Sequence, residues 1–313
     1  MKGMTSADAW FVAKDVAYRQ QLDALGVKID RLRATDPVRA LALSQDHLAG
    51  ALSLLNRDVY FDKSMSELMP RGFSRVTAAA ELGRARLTAD MLVDAESGYA
   101  AALYRNKRDD RYVYVNRGTD DSPDWAANFL QAIGQQSKQY EIAVANARRL
   151  QRSDIAPNLI FSGHSLGGGL ASAQSYETGI RGVTFNAAGL SSATLGAPGI
   201  RRMADNPGLV EAYYVKGELL NTSQDKGPLM AGITATILGS PLGGLAAVAA
   251  VSQLPRAAGE RVALDAVYDP VLKSGRWLPG EKIPFISPLK ALDLHGMTQV
   301  INSVMYRLAG LKV

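Results

Sequence analysis

Asn158-Leu159-Ile160-Phe161-Ser162-Gly163-His164-Ser165-Leu166-Gly167-Gly168-Gly169 is the stretch that decides the fold. Its apolar run, Leu159-Ile160-Phe161, reads as a buried strand, and the residues from Leu170 to Tyr176 read as a helix. Between them, residues 163–167 spell G-x-S-x-G. Strand, sharp turn and helix are the parts of a nucleophile elbow. Glycines two before and two after Ser165 are required because side chains there would collide with the adjoining strand and helix. The turn lifts the Ser165 hydroxyl out at the carboxyl edge of a sheet. The free N–H groups of the helix start, that of Leu166 first, face the same space, where an oxyanion would form.

Outward from this turn, strands alternate with helices. Residues 99–104 and 111–115 read as strands of an antiparallel hairpin closed by the polar turn 106–110. A loop over 117–124 and a long helix over 125–150 precede the elbow, and residues 183–185 and 211–215 read as strands after it. The pattern implies an α/β fold, a mostly parallel sheet with helices on both faces. Apolar residues recur at three- and four-residue spacing over 7–25, 36–43 and 45–55, and Pro37 behind Asp36 marks a helix start. Residues 1–57 are therefore expected to be an N-terminal helical extension packed on a domain of residues 58–313. The segments 59–61 and 67–75 read as an irregular connector, and residues 297–308 as a last helix.

Residues 227–255 contain no Asp, Glu, Lys, Arg or His. Ser240-Pro241 and Gly243-Gly244 break this apolar insert into halves too short to cross a bilayer of about 30 Å at about 1.5 Å per residue. A buried helical hairpin, a lid that opens on lipid and a membrane element are the readings open to it.

The chain of 313 residues is 47% hydrophobic and 21% charged, which leaves room for a full core. It has no cysteine, and that excludes disulfides and thiolate metal sites. Net charge is +5 and the pI about 9.3, with no basic run and no nucleic-acid motif. The surplus reads as a solvated surface, with a weak attraction to anionic lipid headgroups as the alternative. Asp8, Lys14 and Asp15 interrupt the apolar start, so no Sec signal peptide is read there. Synthesis in the cytoplasm is expected, with export by another route.

A serine nucleophile needs a base. The histidines are His47, His164 and His295. His47 lies in the N-terminal helical region, where a packing or surface role is the default. His164 stands inside the elbow, turned from the serine by the chain's geometry. Only His295 follows Ser165, as the order serine, acid, histidine demands. The acid should lie past the strand at 211–215. Glu218, just after Gly217, is favoured, Asp225 is the alternative, and Asp293 and Asp205 are weaker candidates. The oxyanion would take the Leu166 N–H and a second donor from Arg117-Gly118-Thr119, where Gly118 permits a close approach and Thr119 offers the group.

Taken together, residues 112–119 (YVYVNRGT), Asp124-Trp125, Asn128, residues 161–171 (FSGHSLGGGLA), Thr184-Phe185-Asn186 and His295 resemble the class 3 lipase family. The resemblance spans most of residues 59–300. It implies an α/β-hydrolase fold and cofactor-free, metal-free hydrolysis of lipid carboxylic esters, with Ser165 as nucleophile and Thr119 as oxyanion donor. Asp58-Val59-Tyr60, Leu68-Met69-Pro70, Gln139-Tyr140 and residues 184–190 are similar, more closely, to bacterial lipase-like toxins delivered by specialised secretion systems. That likeness implies a phospholipase of the A type, a phospholipid membrane as substrate, and a cognate immunity protein or secretion-system component as partner. Two departures stand out. Asn116 replaces the apolar or aromatic residue usual before Arg-Gly-Thr, which points to an altered pocket wall, and Glu218 stands where the family has Asp. The other readings are a neutral-lipid or short-chain esterase, and a membrane-inserting protein on a hydrolase scaffold.

Overall fold

The computed structural model describes residues 6–118, 136–190, 192–218, 257–268, 271–273, 276–278, 280–283 and 294–311. Two helices come first, α1 (Ser6–Leu32) and α2 (Pro37–Asp58). The Asp36 carboxylate caps α2 by accepting from the Arg39 N–H at 3.0 Å, and Pro37 fits the first turn. The apolar spacing suggested a division at Ser44, but α2 is continuous. The Ser44 hydroxyl donates back to the Ala40 carbonyl at 2.6 Å, so this polar residue causes no break. Helix α1 runs on past Leu25 through Gly26, where a Cβ would lie 2.8 Å from Nε2 of His47. Glycine thus lets the two helices approach. His47 donates from Nε2 to the Leu22 carbonyl at 3.0 Å, and burial lowers its pKa.

The strands are β1 (Phe73–Arg75), β2 (Val93–Asp94), β3 (Tyr99–Asn106), β4 (Arg111–Asn116), β5 (Leu159–His164), β6 (Gly182–Phe185), β7 (Val210–Val215) and β8 (Glu260–Leu264). Among the described residues they form an eight-stranded sheet of order β1-β3-β4-β5-β6-β7-β8, with β2 on β3. Pairing is parallel from β4 to β8, and β3–β4 is the expected antiparallel hairpin. The stretch read as an irregular connector instead supplies β1, antiparallel to β3. A separate hairpin joins β9 (Val271–Lys273) to β10 (Arg276–Leu278). The helices that complete the layers are α3 (Ala79–Arg84), α4 (Gln136–Gln151), α5 (Leu166–Thr178), α6 (Ser192–Asp205) and α7 (Met297–Ala309). The expected helix start at Trp125 and the apolar segment 227–255 lie outside the described residues.

Strand alternation divides the core in two. Val113 and Val115 of β4 face Leu22, Leu52, Leu55, Val300 and Val304 of α1, α2 and α7. Tyr112 and Tyr114 face Ala143, Leu150 and Leu170 of α4 and α5. Each large apolar side chain so buried stabilises by about 1.5–3 kcal/mol. Helices therefore cover both faces, as expected for an α/β-hydrolase-like fold.

Buried polar groups fix where the helices end. The Asp58 carboxylate accepts from Tyr104 Oη at 2.7 Å, Arg75 Nε at 3.0 Å and the Met65 N–H at 2.7 Å. This locks the end of α2 to β1 and β3. Leaving such a charge buried without partners would cost about 3–5 kcal/mol. On α7, Thr298 accepts from Arg57 Nη2 at 2.5 Å and Asn302 from Lys14 Nζ at 2.9 Å. The first two helices thus hold the helix that follows His295. Among the described residues, no helix is long and apolar enough to cross a membrane.

Candidate active site

Strand β5 ends at His164, and Ser165 turns the chain into α5 with φ 58° and ψ −126°. A non-glycine residue held there stores about 1–3 kcal/mol of strain and persists only where its surroundings over-determine it. They do so here. The Ser165 N–H donates to the Phe185 carbonyl at 3.1 Å, and the Ser165 carbonyl accepts from Gly168, Gly169 and Ala188 at 3.0, 3.2 and 2.9 Å. The glycines are sterically compelled. A Cβ on Gly163 would lie 2.0 Å from the Gly167 carbonyl oxygen, and one on Gly167 would lie 2.3 Å from that of Asn116. The Ser165 side chain does not cap α5, which leaves its hydroxyl for another partner.

That partner is His295, whose Nε2 lies 2.8 Å from Ser165 Oγ. On the other side of the ring, Nδ1 lies 2.8 Å from Glu218 Oε2. All three are buried, at 2%, 1% and 0% exposure for Ser165, His295 and Glu218. The donor order follows from the chemistry of each group. A carboxylate only accepts, so Nδ1 carries the proton, and the serine O–H donates to the bare Nε2. Glu218 reaches the ring because Gly217, at φ 82°, turns the chain just past β7, and the Glu218 N–H returns to the Val215 carbonyl at 3.1 Å. The added methylene of glutamate spans the distance from this strand end.

The structure thus brings Ser165, His295 and Glu218 into one hydrogen-bonded chain. Leu166 is the first residue of α5, where a helix leaves its N–H groups unpaired by its own ladder. Gly118 brings the neighbouring loop against the elbow: a Cβ there would lie 2.5 Å from the His164 carbonyl and 3.2 Å from Ser165 Cβ. Thr119, Asp225 and Asp293 lie outside the described residues. Asp205 is exposed at the end of α6, before the amino end of β7, and is not brought to His295.

Asn116 is tied into a hydrogen-bond network at the end of β4. It is buried, donates to Gln174 Oε1 at 2.7 Å and accepts from Tyr99 Oη at 3.3 Å. Tyr99 also meets Tyr114 Oη at 2.8 Å. Burial pushes the Tyr114 hydroxyl up to about 12, so it stays protonated. This network holds the strand end from which the Arg117-Gly118 loop departs. A mixed arginine–aspartate cleft of about 330 Å³ lies at the far edge of the sheet, against Arg111, which opens β4, and Arg181, which precedes β6.

Two side chains to which sequence reasoning gave no part in the site stand behind His295. His164 is buried, with its ring centroid 5.1 Å from that of His295. Its Nε2 meets the His295 carbonyl at 2.7 Å and its Nδ1 meets Tyr60 Oη at 2.9 Å. The Asn186 amide reaches the same carbonyl at 2.9 Å. His164 is thus turned from the serine hydroxyl yet remains part of the assembly. Among the described residues, no group of three His, Cys, Asp or Glu gathers to hold a metal ion.

Comparison with known proteins agrees with this architecture. A family model described as a Tle-like phospholipase domain matches residues 51–269. The chain belongs to the Tle-like phospholipase family. The match includes Ser165 and Glu218 and stops short of His295, which the fold returns to them. A curated relative, "Extracellular phospholipase A1" of Serratia liquefaciens, is 33% identical over 258 residues, covering 81% of this chain and 69% of that protein. Membership in the Tle-like phospholipase family makes this chain a phospholipase-type ester hydrolase with a lipid substrate.

Proposed function

We propose that the chain is a serine phospholipase A that cleaves a fatty-acyl ester of membrane phospholipids through Ser165, His295 and Glu218. The observation that carries this reading is the buried chain of two 2.8 Å contacts, serine to histidine to glutamate, at a strained strand-to-helix turn. His295 Nε2 takes the Ser165 proton as Oγ attacks the acyl carbonyl. Glu218 keeps the proton on Nδ1 and stabilises the imidazolium that forms. The N–H groups of Leu166 and Thr119 receive the oxyanion. His295 then protonates the leaving glycerol oxygen, and water, activated by the same ring, releases the fatty acid. The likeness to the extracellular phospholipase A1 of Serratia liquefaciens supports the sn-1 ester as the bond cut and release outside the cell as the setting. Action as a secreted toxin, export by a specialised secretion system, and a cognate immunity protein in the producing cell complete the reading.

The test is fatty-acid release from phospholipid vesicles and from short-chain esters, with the acyl position identified, for the wild type and Ser165→Ala. Release of the sn-1 chain that is lost in the variant supports the proposal. Cleavage confined to short-chain esters would favour an esterase, and vesicle leakage that survives the substitution without hydrolysis would favour a membrane-inserting protein.

A further inference from the structure

We propose that Asn186 and His164 are positioning residues that aim the His295 imidazole by jointly holding its backbone carbonyl. The inference rests on the serine mechanism above and adds the parts that make its geometry reproducible. Asn186 Nδ2 lies 2.9 Å from the His295 carbonyl oxygen, and His164 Nε2 lies 2.7 Å from it. A carbonyl oxygen has two lone pairs, so two donors saturate it. The same Asn186 amide also donates to the Leu294 carbonyl at 3.1 Å.

The amide cannot be turned over. Its nitrogen faces two acceptors, while its oxygen takes the Val215 N–H at 2.9 Å. Val215 ends β7, and Glu218 follows three residues later. One side chain therefore ties the segment that carries the base to the strand that delivers the acid. Asn186 holds this place at φ 42°, in the left-handed region that asparagine tolerates better than most residues, and its own N–H is fixed to the Tyr213 carbonyl at 2.8 Å.

His164 is equally constrained. Its Nε2 faces a carbonyl, so that nitrogen carries the hydrogen, and Nδ1 accepts from the Tyr60 hydroxyl. Tyr60 follows closely on Asp58, whose carboxylate anchors the end of α2. The support behind the base thus runs back to the sheet and to α2. His295 approaches from the start of α7, with a glycine, Gly296, directly after it. Its ring stays 2.8 Å from both Ser165 and Glu218 only while that main chain is held.

The test measures kcat, KM and thermal midpoint for fatty-acid release from phospholipid–detergent micelles. Asn186→Gly keeps the left-handed backbone without strain and removes the side chain. It is expected to lower kcat by about 10²-fold, the cost of a misplacement near 1 Å, with KM little changed. His164→Phe should lower kcat in the same way. His164→Gln, whose amide N–H can reach the same carbonyl, should recover most of it, which a purely space-filling role would not require. Should Asn186→Gly fail to fold, the two His164 variants decide the matter. Wild-type kcat in folded Asn186→Gly, or equal kcat for His164→Gln and His164→Phe, would overturn the proposal. Ser165→Ala is measured in parallel. If it stays active, the serine mechanism fails and this inference with it. If it is inactive while the other variants match the wild type, only the positioning role fails.

Discussion

Replacing His295 with alanine is expected to lower kcat for phospholipid hydrolysis by about 10⁶-fold, with lipid binding retained, because members of a catalytic triad act as a unit. The residual rate comes from the oxyanion donors and from binding alone. The ring makes both contacts that a serine esterase gives its base. Its Nε2 is 2.8 Å from the Ser165 hydroxyl and its Nδ1 is 2.8 Å from the Glu218 carboxylate. His47 cannot take over, since its Nε2 is committed to the Leu22 carbonyl and it packs between α1 and α2. His164 cannot either, since its Nε2 is held by the His295 carbonyl. The sharper form of the prediction is non-additivity. The Ser165→Ala/His295→Ala double variant should be no slower than either single variant, as measured by fatty-acid release at saturating lipid. A tenfold slower double variant would mean that the two residues act in separate steps.

The second large effect concerns the acid. Glu218→Gln is expected to cost about 10⁴-fold in kcat, because an amide can donate to Nδ1 and stabilise the wrong tautomer while leaving the fold intact. Nε2 would then carry the proton and could no longer accept one from Ser165. Glu218 has 0% exposure, so no solvent replaces its charge. Glu218→Asp should fall between the two, because shortening the arm by one methylene opens the 2.8 Å contact without removing the carboxylate. Asp225→Asn, by contrast, should keep near-wild-type kcat. The reverse pattern would transfer the role to Asp225.

The triad candidates were readable because each obeys a local or ordinal rule. Ser165 announces itself through the glycines that its turn requires, and His295 is the one histidine downstream of it. Glu218 follows a strand and a glycine, where chain direction must reverse. Sheet strands β3 to β7 were legible from apolar runs bounded by polar turns. Strand β8 was not: only Leu264 of its five residues is fully buried, and its place depends on pairing with β7 rather than on its own pattern. Strand β1 was missed for the same reason, since three residues beside β3 leave too short a period to read.

The support behind the base was illegible for a different reason. Asn186 and His164 lie 109 and 131 residues from the carbonyl they hold. Nothing in local spacing reports such a meeting. The available signals were polar identity in otherwise apolar surroundings, a histidine closing β5 and an asparagine just past β6. Buried polar groups need partners, so each was a reason to expect a long-range acceptor without saying which one. The links of Lys14 and Arg57 to α7 belong to the same class. They join the first helices to the last one, and only the folded chain shows that Lys14, ahead of the family match, and Arg57, within it, both brace the helix behind His295.

The most direct test of the central claim is covalent capture of the nucleophile. The wild-type protein is treated with an alkyl phosphonate ester that mimics the tetrahedral state, and the adduct is mapped by peptide mass spectrometry. A single adduct on Ser165, formed in step with complete loss of phospholipid hydrolysis and much more slowly in His295→Ala, is the predicted result. Loss of activity with the adduct on another residue, or full activity with Ser165 modified, would contradict the assignment of Ser165 as the attacking group.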